Sequence, residues 1–491
     1  MKTKGIIAAG HLETANAGAE MLAAGGNAFD AALAAMLASF VAESSLTSLA
    51  GGGFMTAYSA NGQSGLFDFF VQTPKVRQKV EDMDFVLSQI NFGSTTQAQY
   101  IGRGSAAVPG CPAGLFAAHK ALGTMPMEEI AAPAIRLARE GVLITPYQEY
   151  SISILNDVLG NDESCRAIFY PGGEIVKAGD VVKRPLLADT LYVMAKEGVR
   201  LFYEGEIAQA YAKDSEENGG SISLEDLQAY RVIERRPLRY HYHGYDFLTN
   251  PRPSAGGSMI TYGLDRLAQQ STLPESRGPA FVKLLSQTMH EMEVMRQTRL
   301  RKGMDWLGNT THISVLDEHG NAASITTTLG GASGRTIPGT GVLTNNMLGE
   351  MDLHPEGFYQ WPTDQRVSSM MSPSILLKDG RPSLVLGSGG SSRIRTAILQ
   401  TIMHYVDHGM SVEEAVAAPR LHWEAGKLNL EPGVCDEQIS IQTLEGSPTE
   451  IIERWESSSM FFGGVHSVAR SDADQLSGMA DPRRDGATAQ V

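Results

Sequence analysis

Apolar residues recur at helical spacing from residue 12 onward, and LETANAGAEMLAA (12–24) predicts a helix that Gly25 and Gly26 stop. Asn27 is placed to cap a second, Ala-rich helix over 28–41. Both helices are nearly apolar all round, which predicts a buried helical layer. After Gly51, Gly52 and Gly53, which let the backbone turn tightly, FMTAYS and GLFDFFV flank ANGQS as a hairpin. Residues 108–301 read as largely helical, with polar connections such as 214–223. From Thr310 the pattern changes to strands. THISVLD and AASITTTL flank EHGN as one hairpin, PSILLKD and PSLVLGS flank GR as another, and a helix resumes over 391–406. Strand pairs set between helical runs predict an α+β layered body rather than a wound parallel sheet. The sequence offers no linker at which to divide it, no internal repeat and no low-complexity tract.

Composition narrows the partners. A chain of 491 residues, 42% hydrophobic and 19% charged, is an ordinary globular protein able to bury a large core. Its formal charge of −15, with 40 Lys and Arg against 55 Asp and Glu, argues against a nucleic-acid partner. The basic run 296–302 reads as a solvated helix face or loop rather than a binding patch. Cys111, Cys165 and Cys435 are far apart and read as buried thiols, with neither a disulfide framework nor a thiolate metal site. HEMEV at His290 lacks the second His of a zinc-protease helix, and His241 and His243, an HxH pair spaced to share a strand face, lack a third ligand. Neither a metal nor an organic cofactor is called for. No signal-peptide-like stretch opens the chain and nowhere do 18 apolar residues run together, so the expectation is a cytoplasmic protein without a membrane span.

Chemistry concentrates in two segments. NTTHISVLDEHGNAASITTTL (309–329) sets two threonines at the start of a strand; its composition alone also fits an ordinary Thr-rich edge strand. LVLGSGGSSRIRTAILQ (384–400) ends a strand in a small-residue turn that opens a helix, where backbone N–H groups can hold an anion. As a nucleotide fingerprint it is poor, because Ser392 replaces the third glycine and no βαβ unit surrounds it. An oxyanion hole is the better reading.

With these segments in view, the chain resembles the γ-glutamyltransferases, also called glutathione hydrolases. The resemblance runs in order through GGNAFDAALAA, GGGF, VPGCPAG, TTHISVLDEHGNAASIT, NNM, SSMMSPSI, LGSGGSSRI and ADPRRDG. It implies a four-layer αββα sandwich of the N-terminal-nucleophile hydrolase type, made as one precursor that cuts itself at Asn309–Thr310. The large chain (1–309) and small chain (310–491) would then form one domain and act on a small-molecule amide. The resemblance makes Thr310 the nucleophile, and its freed α-amino group, with an unperturbed pKa of about 7.7–8.0, would act as its base. Thr328 matches the residue that orients the nucleophile, and Gly390 and Ser391 match the oxyanion pair.

The family pattern breaks at the substrate. An Arg that grips the glutamyl α-carboxylate is Phe70 here, following Asp68 and Phe69. The Asn two residues past the second Thr is Gly330, Met347 follows Asn346 where the family has Gln, and Glu350 replaces an Asp. Ser368 and Ser369 keep the carboxylate-binding serines, and the approach to the cleavage site over 290–310 is shorter than usual. Three readings follow: a γ-glutamyl enzyme, an acylase for other small amides with an apolar group against Phe70, and an unprocessed non-catalytic homologue.

Overall fold

The computed structural model describes residues 3–91, 96–300, 309–350, 353–354, 357–435 and 439–491. Alternation along THISVLD sets its architecture, because successive strand side chains point to opposite faces. Thr310, His312 and Ser314 share one face, and Thr311, Ile313 and Val315 the other. The strand Thr310–Asp317 pairs antiparallel with Ala322–Thr328, setting Thr310 opposite Thr328, His312 opposite Thr326 and Ser314 opposite Ser324. These two strands lie inside a seven-stranded antiparallel sheet. Gly5–Ala9 and Ala487–Gln490 flank them on one side, and Gly52–Tyr58, Ser64–Phe69 and Ile233–Arg235 on the other.

A second, six-stranded antiparallel sheet packs face to face on the first. Its order is Leu476–Met479, Gly464–Arg470, Arg381–Gly389, Ser374–Lys378, Tyr245–Thr249 and Leu238–Tyr242. Ile6, Leu316, Ile375, Val385 and Val468 fill the space between the sheets at one end. At the Thr310 end that layer is polar: His312 bonds Thr326 (2.8 Å) and Ser314 (2.9 Å), and Ser314 donates to the His466 carbonyl. The helices Leu12–Ala23 and Ala28–Ala42 cover the first sheet, and Gly256–Ala268, Pro279–Met295 and Arg393–Val406 cover the second. The result is the four-layer αββα sandwich that the resemblance implied.

Several expectations change. Ala28–Ala42, closed by a capping box between Asn27 and Asp30, is buried along its whole length. The helix before it is not buried all round: Leu12, Asn16 and Glu20, spaced by four, form an exposed stripe. The central region is mainly helical, yet its last three strands extend both sheets, and residues 214–217 complete the helix Glu206–Glu217 rather than a connection. Within the basic run Gln297 and Thr298 are exposed as expected, but Arg296 is 4% exposed and its guanidinium bonds the Glu293 carboxylate at 2.6 Å, while 301–302 lie outside the described residues. His241 and His243 share no strand face, because His243 sits in the turn at φ 43° and bonds Asp407. Cys111 and Cys165 are buried, whereas Cys435, in a loop beyond the strand Lys427–Leu430, is only half-buried. Among the described residues no helix is long and apolar enough to cross a membrane.

Candidate active site

Thr310 and Thr328 face each other across one rung of the sheet, both almost fully buried. The Thr328 hydroxyl accepts from the Gly330 N–H at 2.9 Å and donates to the carbonyl of Asn309, in a short bond. It therefore points at the peptide bond that precedes Thr310. The turn after Ala28–Ala42 fixes both strand ends. The Ser45 carbonyl accepts from the Asn309 side chain (3.1 Å), the Leu46 carbonyl from the Leu329 N–H (3.2 Å), and Thr47 bonds Thr327 (2.9 Å). At the head of that turn Glu43 accepts from the Thr14 hydroxyl at 2.7 Å and closely from that of Thr311. Burial pushes the Glu43 carboxyl up to about 7, against the opposing pull of those two hydroxyls. Gly51, Gly52 and Gly53 serve close packing rather than a turn, since a Cβ on any of them would collide with neighbouring backbone, that of Thr328 at Gly51.

The second sheet supplies the opposite wall. Arg381–Gly389 ends beside Thr310, and a Cβ on Gly389 would collide with the Thr310 carbonyl oxygen. Next come two left-handed residues, Gly390 at φ 118° and Ser391 at φ 50°, before the helix Arg393–Val406 begins. Glycine takes that conformation without penalty, whereas at Ser391 it costs about 1–2 kcal/mol. The turn nonetheless forms. His312 and His466, behind it, are held neutral because burial lowers both, His466 to about 4.

A small cleft, with a cavity volume of about 30 Å³, opens at this junction. It brings together Thr310, Thr328, Ser391, Ser369, Glu350 and Phe70 of the residues singled out from the sequence. The rest of its lining is apolar: Met347, Leu353, Met370, Met371 and Ile394. Among the described residues no Lys or Arg lines it. Phe70 stacks on Phe54, with ring centroids 5.4 Å apart. Cations do lie near this segment, but they turn away. Arg235 and Arg366 both bind the buried Asp68 carboxylate, at 2.8 and 3.3 Å, and Arg366 also donates to the Phe70 carbonyl.

The remaining candidates are placed less uniformly. Asn346 is fully buried behind the cleft, accepting from the Gly331 N–H at 2.7 Å. Gly330, at φ 72°, lies against Asn346 and Glu350, whose side-chain oxygens occupy the space a Cβ there would need. That contact accounts for glycine at this position. Ser369 is buried and its hydroxyl accepts from the Met371 N–H, while Ser368 is exposed, outside the cleft, and donates to the Pro253 carbonyl at 2.9 Å.

Two residues here escaped the sequence reading. Glu43 stands in the Ser/Thr-rich turn ESSLTS, a signal of side chain to backbone bonding that was available. Arg484 lies in the quoted motif ADPRRDG, and its guanidinium reaches the Thr310 carbonyl at 3.4 Å.

Comparison with known proteins agrees with the geometry. The gamma-glutamyltranspeptidase family model matches residues 14–305 and 302–491. The glutathione hydrolase proenzyme of Escherichia coli (strain K12) is 30% identical, covering 98% of this chain and 90% of its own. The acylase ACY 1 proenzyme of Pseudomonas sp. (strain SE83) is 31% identical, covering 99% and 93%. In fold, the chain is similar to the cephalosporin acylase of Bacillus halodurans with a TM-score of 0.82 at 22% identity, over 99% of this chain and 96% of that one. With both halves matched by one family model, and with full-length relatives among its enzymes, the chain belongs to the gamma-glutamyltranspeptidase family.

Proposed function

We propose that this enzyme is made as a precursor, cuts itself at Asn309–Thr310, and then hydrolyses or transfers the acyl group of a small amide through an ester on Thr310. The observation that carries the reading is the Thr328 hydroxyl, which donates to the Asn309 carbonyl directly across from the Thr310 nucleophile. In the precursor, Thr310 Oγ1 attacks that carbonyl carbon, the peptide shifts to an ester, and water opens it. Residues 1–309 and 310–491 remain together as one sandwich. In the mature enzyme the new α-amino group takes the Thr310 hydroxyl proton as Oγ1 bonds the donor carbonyl, help typically worth about 10²–10⁴ in rate. The Gly390–Ser391 turn holds the oxyanion, and Thr328 orients Oγ1.

For the donor, the lining of the cleft favours an amide whose acyl group is apolar where a glutamyl group carries its α-carboxylate. Phe70 stands at the position of the family's arginine, Ser369 offers a neutral contact, and Arg366 is committed to Asp68 and the Phe70 carbonyl. The Pseudomonas acylase relative supports this reading. The second reading, a γ-glutamyl donor, is favoured by Glu350 on the cleft wall, a carboxylate suited to an α-ammonium group. Measuring kcat/KM for γ-glutamyl, glutaryl and uncharged acyl anilides separates the two. The uncharged acyl anilide is expected to be the best donor, and a clear preference for the γ-glutamyl anilide would reverse the order.

A further inference from the structure

Arg484 is unused in this scheme, yet its position is costly. Its side chain is 2% exposed, its Nε is a buried N–H without an acceptor, and among the described residues no carboxylate lies within ion-pair distance of it. Nη1 reaches the Thr310 carbonyl at 3.4 Å and Nη2 the Met460 carbonyl at 3.3 Å, both long for charge-assisted bonds. The adjacent Arg483 is the opposite case, gripping Glu431 through Nε (2.7 Å) and Nη2 (2.6 Å). A buried guanidinium balanced by two distant carbonyls leaves its charge largely uncompensated. The charge lies against the active-site turn, since Cβ atoms on Gly389 and Gly390 would each stand 3.1 Å from its Nη atoms.

The groups around it do little to cancel that field. His312 and His466 are neutral through burial, and the Tyr147 hydroxyl is raised by burial. Burial pushes the Glu43 carboxyl up to about 7, which weakens its hold on a negative charge. Asp481 is held by Arg420 at 2.7 Å and Arg483 at 3.2 Å, and Asp485 is exposed.

We propose that Arg484 is a positioning residue whose unbalanced charge keeps the α-amino group of Thr310 deprotonated at neutral pH and supports the oxyanion turn. The proposal rests on the reading of Thr310 as an N-terminal nucleophile. An ordinary α-amine, with a pKa of about 7.7–8.0, is mostly protonated at pH 7 and poor as a base. A cation on the far side of the same residue's carbonyl lowers that value by roughly one to two pH units. The neutral amine then accepts the hydroxyl proton as Oγ1 attacks, and returns it to the leaving nitrogen as the donor C–N bond breaks.

The test uses the processed two-chain enzyme after N-terminal sequencing has verified that the small chain starts at Thr310, so that a wrong nucleophile is recognised separately. The acid limb of kcat/KM against pH is expected about one unit or more below 7.7–8.0. In Arg484→Met it should rise by about a unit, with kcat falling more than KM rises, and Arg484→Lys should return it to the wild-type position. A limb unmoved in Arg484→Met, or a lysine variant that behaves like the methionine one, overturns the proposal. Should Arg484→Met fail to fold, competitive labelling of the wild-type Thr310 α-amino group with acetic anhydride, read by mass spectrometry of the N-terminal peptide, decides alone. Titration below about 7 is expected, and titration at or above about 8 overturns the proposal.

Discussion

The Thr328 hydroxyl donates to the carbonyl oxygen of Asn309, the carbonyl that Thr310 must attack if the chain is to cut itself. One side chain thus has two successive partners in the proposed scheme, the carbonyl before cleavage and Thr310 Oγ1 after it. Removing a single donor aimed at a developing oxyanion costs about 10²–10³ in rate. Thr328→Ala is therefore expected to slow self-cleavage by that order and to lower kcat of the processed enzyme far more than it raises KM, while Thr328→Ser keeps both. Timed gels and steady-state kinetics check this; a Thr328→Ala enzyme that matures and turns over normally would remove the role.

Phe70→Arg should move the donor preference. A charge-assisted bond contributes about 1.5–3 kcal/mol against about 0.5–1.5 for a neutral one. The ratio of kcat/KM for a γ-glutamyl anilide over an uncharged acyl anilide should rise about tenfold. An unchanged ratio would mean that another group already serves the carboxylate.

Ser391 occupies left-handed backbone, so Ser391→Gly should leave kcat within a few-fold and raise stability slightly, by up to about 1 kcal/mol. Ser391→Val, whose β-branched side chain resists φ near 50°, should distort the turn and lower kcat by more than about tenfold. Equal activity in both variants would argue against an oxyanion role for this turn.

Glu43 sets a pH dependence of stability. Its carboxyl binds a proton more tightly when folded, up to about 7, than when unfolded, so its contribution is present below about 4.5 and is lost as pH rises through 7. The buried His312 and His466 act in the opposite sense, losing stability as pH falls below about 6.5. Comparing Glu43→Gln with its parent, both in an uncleaved Thr310→Ala background, cancels the histidines. The melting temperature of the glutamine variant should gain on the parent from pH 5 to pH 8, by the equivalent of up to about 3 kcal/mol. A gap that stays constant across this range would show that Glu43 is ionised throughout.

How much of this was legible in the sequence depended on distance along the chain. The alternation in THISVLD and AASITTTL fixed which threonines share a face, and the turn in EHGN set Thr310 opposite Thr328. The capped helix at Asn27 and the strand-turn-helix at Gly390 were equally local. Long-range consequences were not. Nothing near Arg366 announces that it will bind Asp68, almost 300 positions earlier, and leave the Phe70 cleft without a cation. Gly330 read as a missing side chain, and only the fold shows Asn346 and Glu350 in the space it vacates. Ser368 and Ser369 are neighbours in sequence, yet only Ser369 turns into the cleft.

The most direct measurement is the N-terminal sequence of the small chain from purified recombinant protein, made without added protease, alongside a Thr310→Ala control. Self-cleavage by Thr310 requires that the 52.8-kDa chain give two fragments, that the smaller begin at Thr310, and that the control remain one chain. A wild-type chain that stays intact, or a small chain that begins at any other residue, would contradict the assignment of Thr310 as the nucleophile.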